Sequence, residues 1–211
     1  MKHLICSFTG AYDNGKITKN ADILDFTDLS GCGMYLDVHA EAVLLSSIKP
    51  YAPSGLHFID NGNYHYMTRL FASYIDTPFD LFVFDHHTDD MPPAFGDLKS
   101  CGSWIYDIKK ENPLLKSCFL IQDASDLEKY KPSERPLYIS VDKDVLSETV
   151  LRTNWDQGEM TEEEFFGIFT GLINKRHIIG IDICGEDVPE NDSSKNDAFN
   201  MKILQTAGPL F

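Results

Sequence analysis

The sequence predicts an α/β fold in which a mostly parallel sheet is covered by helices on both faces. Three observations lead there. Short runs such as Leu81-Phe82-Val83-Phe84 and Leu137-Tyr138-Ile139-Ser140-Val141 are apolar at successive positions, as expected of strands buried on both faces. These runs alternate with stretches of helical periodicity. Several end in polar, acidic or glycine-containing segments, where ligands bind in parallel sheets.

The elements follow in order. The first 50 residues show only a strand–helix pattern. Leu56-His57-Phe58-Ile59 reads as a strand leading into Asp60-Asn61-Gly62-Asn63, and 64–75 reads as a helix. The strand at 81–84 stops at Asp85. A helix is expected over 103–110, a strand over 118–121, and a strand over 137–141 that stops at Asp142. Thr161 followed by Glu162 to Glu164 makes a helix start, with acids at the positive end of the dipole. That helix runs to Lys175 through Phe165, Phe166, Phe169 and Leu172. His177 to Ile183 is the next strand and 197–204 a terminal helix. No repeat, low-complexity tract or linker interrupts this pattern, so residues 1–211 are expected to form one domain.

Composition excludes several classes of function. With 18 basic and 33 acidic residues the formal charge is −15, which repels nucleic acid and anionic lipid. No run approaches the roughly 18 apolar residues that would span a bilayer. The amino terminus carries only Leu4-Ile5-Cys6 as an apolar run, too short for a signal peptide. The five cysteines (Cys6, Cys32, Cys101, Cys118 and Cys184) include no CxxC pair, which disfavours a disulfide scaffold or a cysteine zinc site. The expectation is a cytoplasmic protein acting on a small-molecule substrate, with homo-oligomerisation left open.

Chemistry concentrates at two strand ends, Asp85-His86-His87-Thr88-Asp89 and Asp142-Lys143-Asp144. Side chains alternate along extended backbone, so residues 85, 87 and 89 share a side, as do 142 and 144. On neighbouring strands these residues bring four carboxylates and an imidazole to one spot. Two divalent cations would relieve the repulsion. Carboxylate oxygens with imidazole and no thiolate favour Mn²⁺, with Fe²⁺, Co²⁺ or Mg²⁺ behind it, over a structural zinc site. His65, just after the Asn61-Gly62-Asn63 turn, is the natural sixth ligand.

The succession Gly62-Asn63-Tyr64-His65, then Asp85-His86-His87-Thr88-Asp89, then Ser140-Val141-Asp142-Lys143-Asp144 resembles the arginase/agmatinase (ureohydrolase) family. Gly158-Glu159-Met160-Thr161 is similar to that family's Gly-Gly-Leu-Thr. The resemblance runs from about Leu56 to the terminal helix. It implies a three-layer α/β/α sandwich of the arginase/deacetylase kind holding two Mn²⁺. His65, Asp85, Asp89 and Asp142 would hold one ion. Asp85, His87, Asp142 and Asp144 would hold the other. It also implies hydrolysis of a non-peptide C–N bond in a small linear amidine or guanidine by a hydroxide bridging the metals, with Asp89 passing the proton.

Outside the metal shell the pattern departs. The family's Asp-x-x-Glu, whose glutamate holds the guanidinium, is represented by Asp182-Ile183-Cys184-Gly185-Glu186, so Glu186 comes one residue late. Glu186 is nonetheless expected to reach the site. Cys101 stands about where relatives carry a proton-shuttling histidine. His86 is expected to point away, Tyr64 to pack, and Trp155 either to stack on substrate or to anchor its loop. The loop Met91-Pro92-Pro93-Ala94-Phe95 is apolar, and the short chain suggests trimmed recognition loops, which argues against arginine as substrate. Two alternatives stand beside the amidine hydrolase: a deacetylase-like amide hydrolase using a single zinc, and a catalytically silent metal-binding protein.

Overall fold

The computed structural model describes residues 3–13, 15–93 and 96–211. Met1, Lys2, Asn14, and Ala94 and Phe95 of the apolar loop lie outside them. Strand β1 (His3–Ser7) is followed by β2 (Ala21–Asp25), β3 (Tyr35–Leu36) and helix α1 (Val38–Ile48). Then come β4 (Gly55–Phe58), α2 (Met67–Ala72), β5 (Phe79–Phe84), β6 (Lys99–Ser100), α3 (Trp104–Glu111) and β7 (Leu115–Ile121). The chain closes with β8 (Leu137–Asp142), α4 (Glu162–Lys175), β9 (Ile178–Cys184) and α5 (Ser194–Ala207).

Seven strands form one sheet in the order β2-β1-β4-β9-β8-β5-β7, and every pairing in it is parallel. β3 and β6 make a separate antiparallel pair. Alternation along the strands divides the core in two. On one face Phe82, Phe84, Ile139, Val141, Ile181 and Ile183 pack beneath Phe165 and Phe169 of α4 and Phe199 and Ile203 of α5. On the other, Leu4, Leu81, Val83 and Tyr138 pack beneath Leu44 of α1, Phe71 of α2 and Trp104 and Ile108 of α3. The result is the expected three-layer α/β/α sandwich. Among the described residues no helix is long and apolar enough to cross a membrane.

Local chemistry accounts for most boundaries. Thr161 caps α4 in a capping box: its side chain accepts from the Glu164 amide while Glu164 accepts from the Thr161 amide. The helix expected over 64–75 is shorter, because Asn61 caps a tight 3₁₀ turn at Gly62–Tyr64 before α2 begins. β7 and α5 extend beyond their sequence-based limits; the added residues of β7 are held by backbone pairing with β5, Phe79 beside Leu115 and Asp80 beside Ser117.

β5 and β8 are adjacent, with Val83 beside Ser140 and Phe84 beside Val141. Their carboxyl ends therefore present Asp85 and Asp142 side by side. β9 lies on the other side of β8, with Asp142 opposite Cys184. β4 is next, so the turn carrying His65 arrives at the same edge.

Close packing at Gly180 tests this arrangement. A Cβ there would overlap the Pro53 carbonyl oxygen and lie 2.7 Å from the Tyr138 ring. Gly180→Ala should therefore lose about 1–3 kcal/mol of stability in urea unfolding; an unchanged midpoint would contradict the register of β8 and β9.

Candidate metal centre

Each candidate ligand is held by the strand end that carries it. The Asp85 amide still donates to Ile121 O of β7, at 3.3 Å, so the residue continues the sheet. Asp85 Oδ1 accepts from the His87 amide at 2.7 Å, and Asp144 Oδ1 from the His86 amide at 2.9 Å. Asp142 Oδ1 accepts from the Asp144 amide at 3.1 Å, closing the turn after β8. Asp89 has φ 44°, a left-handed conformation that aspartate tolerates better than most residues. Its Oδ2 is held by the Trp104 indole N–H at 2.8 Å.

These constraints bring the side chains together. His65 Nδ1 lies 3.2 Å from Asp85 Oδ2, 3.3 Å from Asp89 Oδ2 and 3.3 Å from Asp142 Oδ2. His87 Nδ1 lies 2.8 Å from Asp144 Oδ2 and 3.8 Å from Asp85 Oδ1. One donor atom each from His65, Asp85 and Asp89 falls within 4.8 Å, as does one each from Asp85, His87 and Asp144, so Asp85 is common to both groups. His65 Nε2 meets Ser140 Oγ at 2.9 Å, and Thr68 Oγ1 lies 3.1 Å from that hydroxyl. With Nε2 protonated and donating to Ser140, Nδ1 presents its lone pair to the cluster.

A cation fits this site on two observations. His65 Nδ1 and Asp85 Oδ2 are buried with no hydrogen-bond partner, and both face the cluster. Without a cation the charges are strained. Burial, then Asp89 and Asp144, hold the Asp85 carboxyl well above the usual range. Burial and Asp144 push Asp142 up to about 7. Burial pulls the His65 imidazole down, but the adjoining carboxylates of Asp85, Asp89 and Asp142 outweigh it, so its pKa lies well above normal. His87 is raised to about 10 by Asp144. The donors are carboxylate oxygens and imidazole nitrogens, a set suited to Mn²⁺, Fe²⁺ or Co²⁺.

The cluster opens into a cleft of about 160 Å³. Five of the six candidate ligands line it (Asp85, His87, Asp89, Asp142 and Asp144), with Gly62, Cys101, Gly102 and Trp155 completing the wall. Cys101 lines the cleft; burial, then Asp89, raise its thiol to about 11. His86 is turned toward Asp156, 3.8 Å away, and Tyr64 stacks on Phe8 with centroids 4.0 Å apart.

Glu186, expected to face the reacting group, is placed elsewhere. Its carboxylate is buried, paired with Lys143 Nζ and accepting from Asn200 Nδ2 at 2.6 Å, and it does not line the cleft. Other participants carry little sequence signal. Trp104 reaches Asp89 from α3. Cys184 Sγ lies near His65 and Asp142, but burial raises its pKa and it donates to Asn61 O at 3.1 Å, which keeps it a thiol. Asp60 (φ 72°) accepts from the amides of Phe8, Thr9 and Asn61, tying the end of β1 to the turn before His65.

No protein-family signature matches the chain. An uncharacterized protein of Thermotoga maritima is 29% identical over 215 residues, covering 95% of this chain and 87% of that protein. Among solved structures, the arginase of Entamoeba histolytica in complex with L-ornithine superposes with a TM-score of 0.69 at 10% identity, covering 98% of this chain and 97% of that one. The chain has the arginase fold. A Trypanosoma cruzi formiminoglutamase variant with Mn²⁺ gives a TM-score of 0.65 at 12% identity, covering 99% and 93% of the two chains. A hypothetical agmatinase from Burkholderia thailandensis gives 0.64 at 16%, covering 94% and 80%.

Two outcomes follow from the charges. In the metal-free protein Asp142 keeps its proton to about pH 7, whereas the unfolded chain loses it near pH 4. The stability it contributes is full below about pH 4 and is lost as pH rises through 7. For His87 the loss extends from about pH 6.5 through 10. Mn²⁺ should therefore raise the melting temperature more at pH 8.5 than at pH 6, read by thermal shift; equal shifts would count against this cluster as the binding site. Separately, Glu186→Gln should cost about 3–5 kcal/mol in urea unfolding by stranding Lys143. The double change Lys143→Met/Glu186→Leu should recover most of that loss.

Proposed function

We propose that this protein is a dimetal hydrolase, with Mn²⁺ as the favoured ion, that cleaves a non-peptide C–N bond in a small linear amidine or guanidine. The observation that carries the reading is the pair of orphaned buried atoms, His65 Nδ1 and Asp85 Oδ2, facing each other inside a carboxylate cluster at the carboxyl ends of parallel strands. His65, Asp85, Asp89 and Asp142 would hold one ion, and Asp85, His87, Asp142 and Asp144 the other. Two divalent ions, when bound, neutralise the carboxylates and lower the pKa of a shared water.

The chain's own residues supply the rest. Ser140 holds His65 in the tautomer that leaves Nδ1 free to ligate. Asp156 Oδ1, 3.2 Å from His87 Nε2, orients the second imidazole from the rim. Asp89, steered by Trp104, lines the cleft and is the carboxylate placed to take a proton from the attacking water and pass it to the departing nitrogen. Glu186 acts indirectly, by neutralising the lysine that sits between Asp142 and Asp144. Cytoplasmic placement is part of the proposal, supported by five cysteines that form no disulfide.

Elemental analysis of protein purified without chelator and then loaded with Mn²⁺ should give about two metals per chain. Asp142→Asn should lower that to one or none and reduce amidine hydrolysis at least a hundredfold. Full turnover in that variant would remove Asp142 from the centre. A single tightly held zinc in the wild type would point instead to amide hydrolysis of the deacetylase kind.

A further inference from the structure

Resting on the amidine-hydrolase reading, the remaining question is what recognises the substrate's cation. The cleft floor consists of carboxylates and an imidazole committed to metal, so its charges are already balanced when the site is loaded. Glu186 is paired with Lys143. Among the described residues no lysine or arginine lines the cleft, so a substrate carboxylate would find no partner among them. Apart from Cys101 and two glycines, the wall left over is Trp155.

Trp155 is built into that wall. Its indole Nε1 donates to Asn63 Oδ1 at 3.1 Å, and Asn154 Nδ2 donates to the same oxygen at 3.2 Å. The Gly62 amide donates back to Asn154 Oδ1 at 2.9 Å. A Cβ at Gly62 would lie 2.6 Å from Trp155 Cδ1, so the indole occupies room that only glycine leaves. Gln157 secures the far side of the loop through Leu146 O at 2.9 Å and the Thr153 amide at 3.1 Å. The ring is only half-buried, and it meets His87 edge to face at 5.7 Å. It is pinned along its polar edge and borders the reacting space.

We propose that Trp155 is the recognition residue for a small amidinium or guanidinium cation that carries no carboxylate. The planar, delocalised and weakly hydrated cation stacks on the indole. The cleft volume of about 160 Å³ favours a short substrate. It is well below the roughly 300–1,000 Å³ of sites for drug-sized ligands, and it must also accommodate the metals. The net charge of −15 draws small cations toward the protein and disfavours anionic substrates.

The test uses the full-length protein loaded with Mn²⁺, titrated calorimetrically with acetamidinium, agmatine and arginine, with ammonia and urea release followed in parallel. Wild type should bind acetamidinium at least tenfold more tightly than arginine. Trp155→Leu should weaken acetamidinium binding about tenfold, and Trp155→Phe should stay within about threefold of wild type, with metal content unchanged in both. Unchanged affinity in Trp155→Leu, or arginine bound as well as acetamidinium by wild type, would overturn the proposal. The wild-type comparison needs no variant and stands even if Trp155→Leu fails to fold. Binding that follows this pattern without any C–N cleavage would support Trp155 as the recognition residue and overturn the hydrolase reading, so the two fail separately.

Discussion

Everything at the functional end of this molecule depends on like charges held together. Asp85, Asp89, Asp142 and Asp144 converge because two adjacent parallel strands end at the same level, and such a largely buried cluster is unfavourable unless a cation enters it. The orphaned Nδ1 of His65 and Oδ2 of Asp85 are the local expression of that cost. Neighbouring groups with no ligating role hold the arrangement in place: Ser140 and Thr68 behind His65, Trp104 behind Asp89, Asp156 outside His87.

The amino-terminal segment has its purpose in the same arrangement. β1 lies between β2 and β4 and delivers the Phe8 and Thr9 amides to Asp60, which holds the left-handed bend leading into Asn61. That bend sets the 3₁₀ turn, and the turn aims His65 into the cluster. Buried polar residues far from the cluster thereby fix the position of a candidate ligand.

Much of the fold could be read directly from the chain. Strands apolar on both faces and a helix opened by Thr161 and Glu164 are local properties, and the structure keeps them within a few residues. The aspartates of the two strand-end motifs were legible because an acid after a buried strand has a defined position in a parallel sheet. The 3₁₀ turn before α2 was not, since a polar cap at Asn61 looks the same ahead of either helix type. Trp104 and Asp60 carried no local signal, because their partners lie 15 and 52 residues away.

The sequence by itself determined which residue types stand at the strand ends, because alternation along extended backbone is set locally. Tertiary structure alone decided where Glu186 and Trp155 go. Asp142 pairs with Cys184, and one further residue, Gly185 at φ 87°, then turns the chain. A Cβ at Gly185 would crowd Asp142 and lie 2.8 Å from the Lys143 amide. Carried past that turn, Glu186 meets Lys143 instead of the cleft. Trp155 reaches the cleft only because Gly62, 93 positions earlier in the sequence, leaves it room. Both outcomes depend on contacts between distant segments, and no local pattern encodes such contacts.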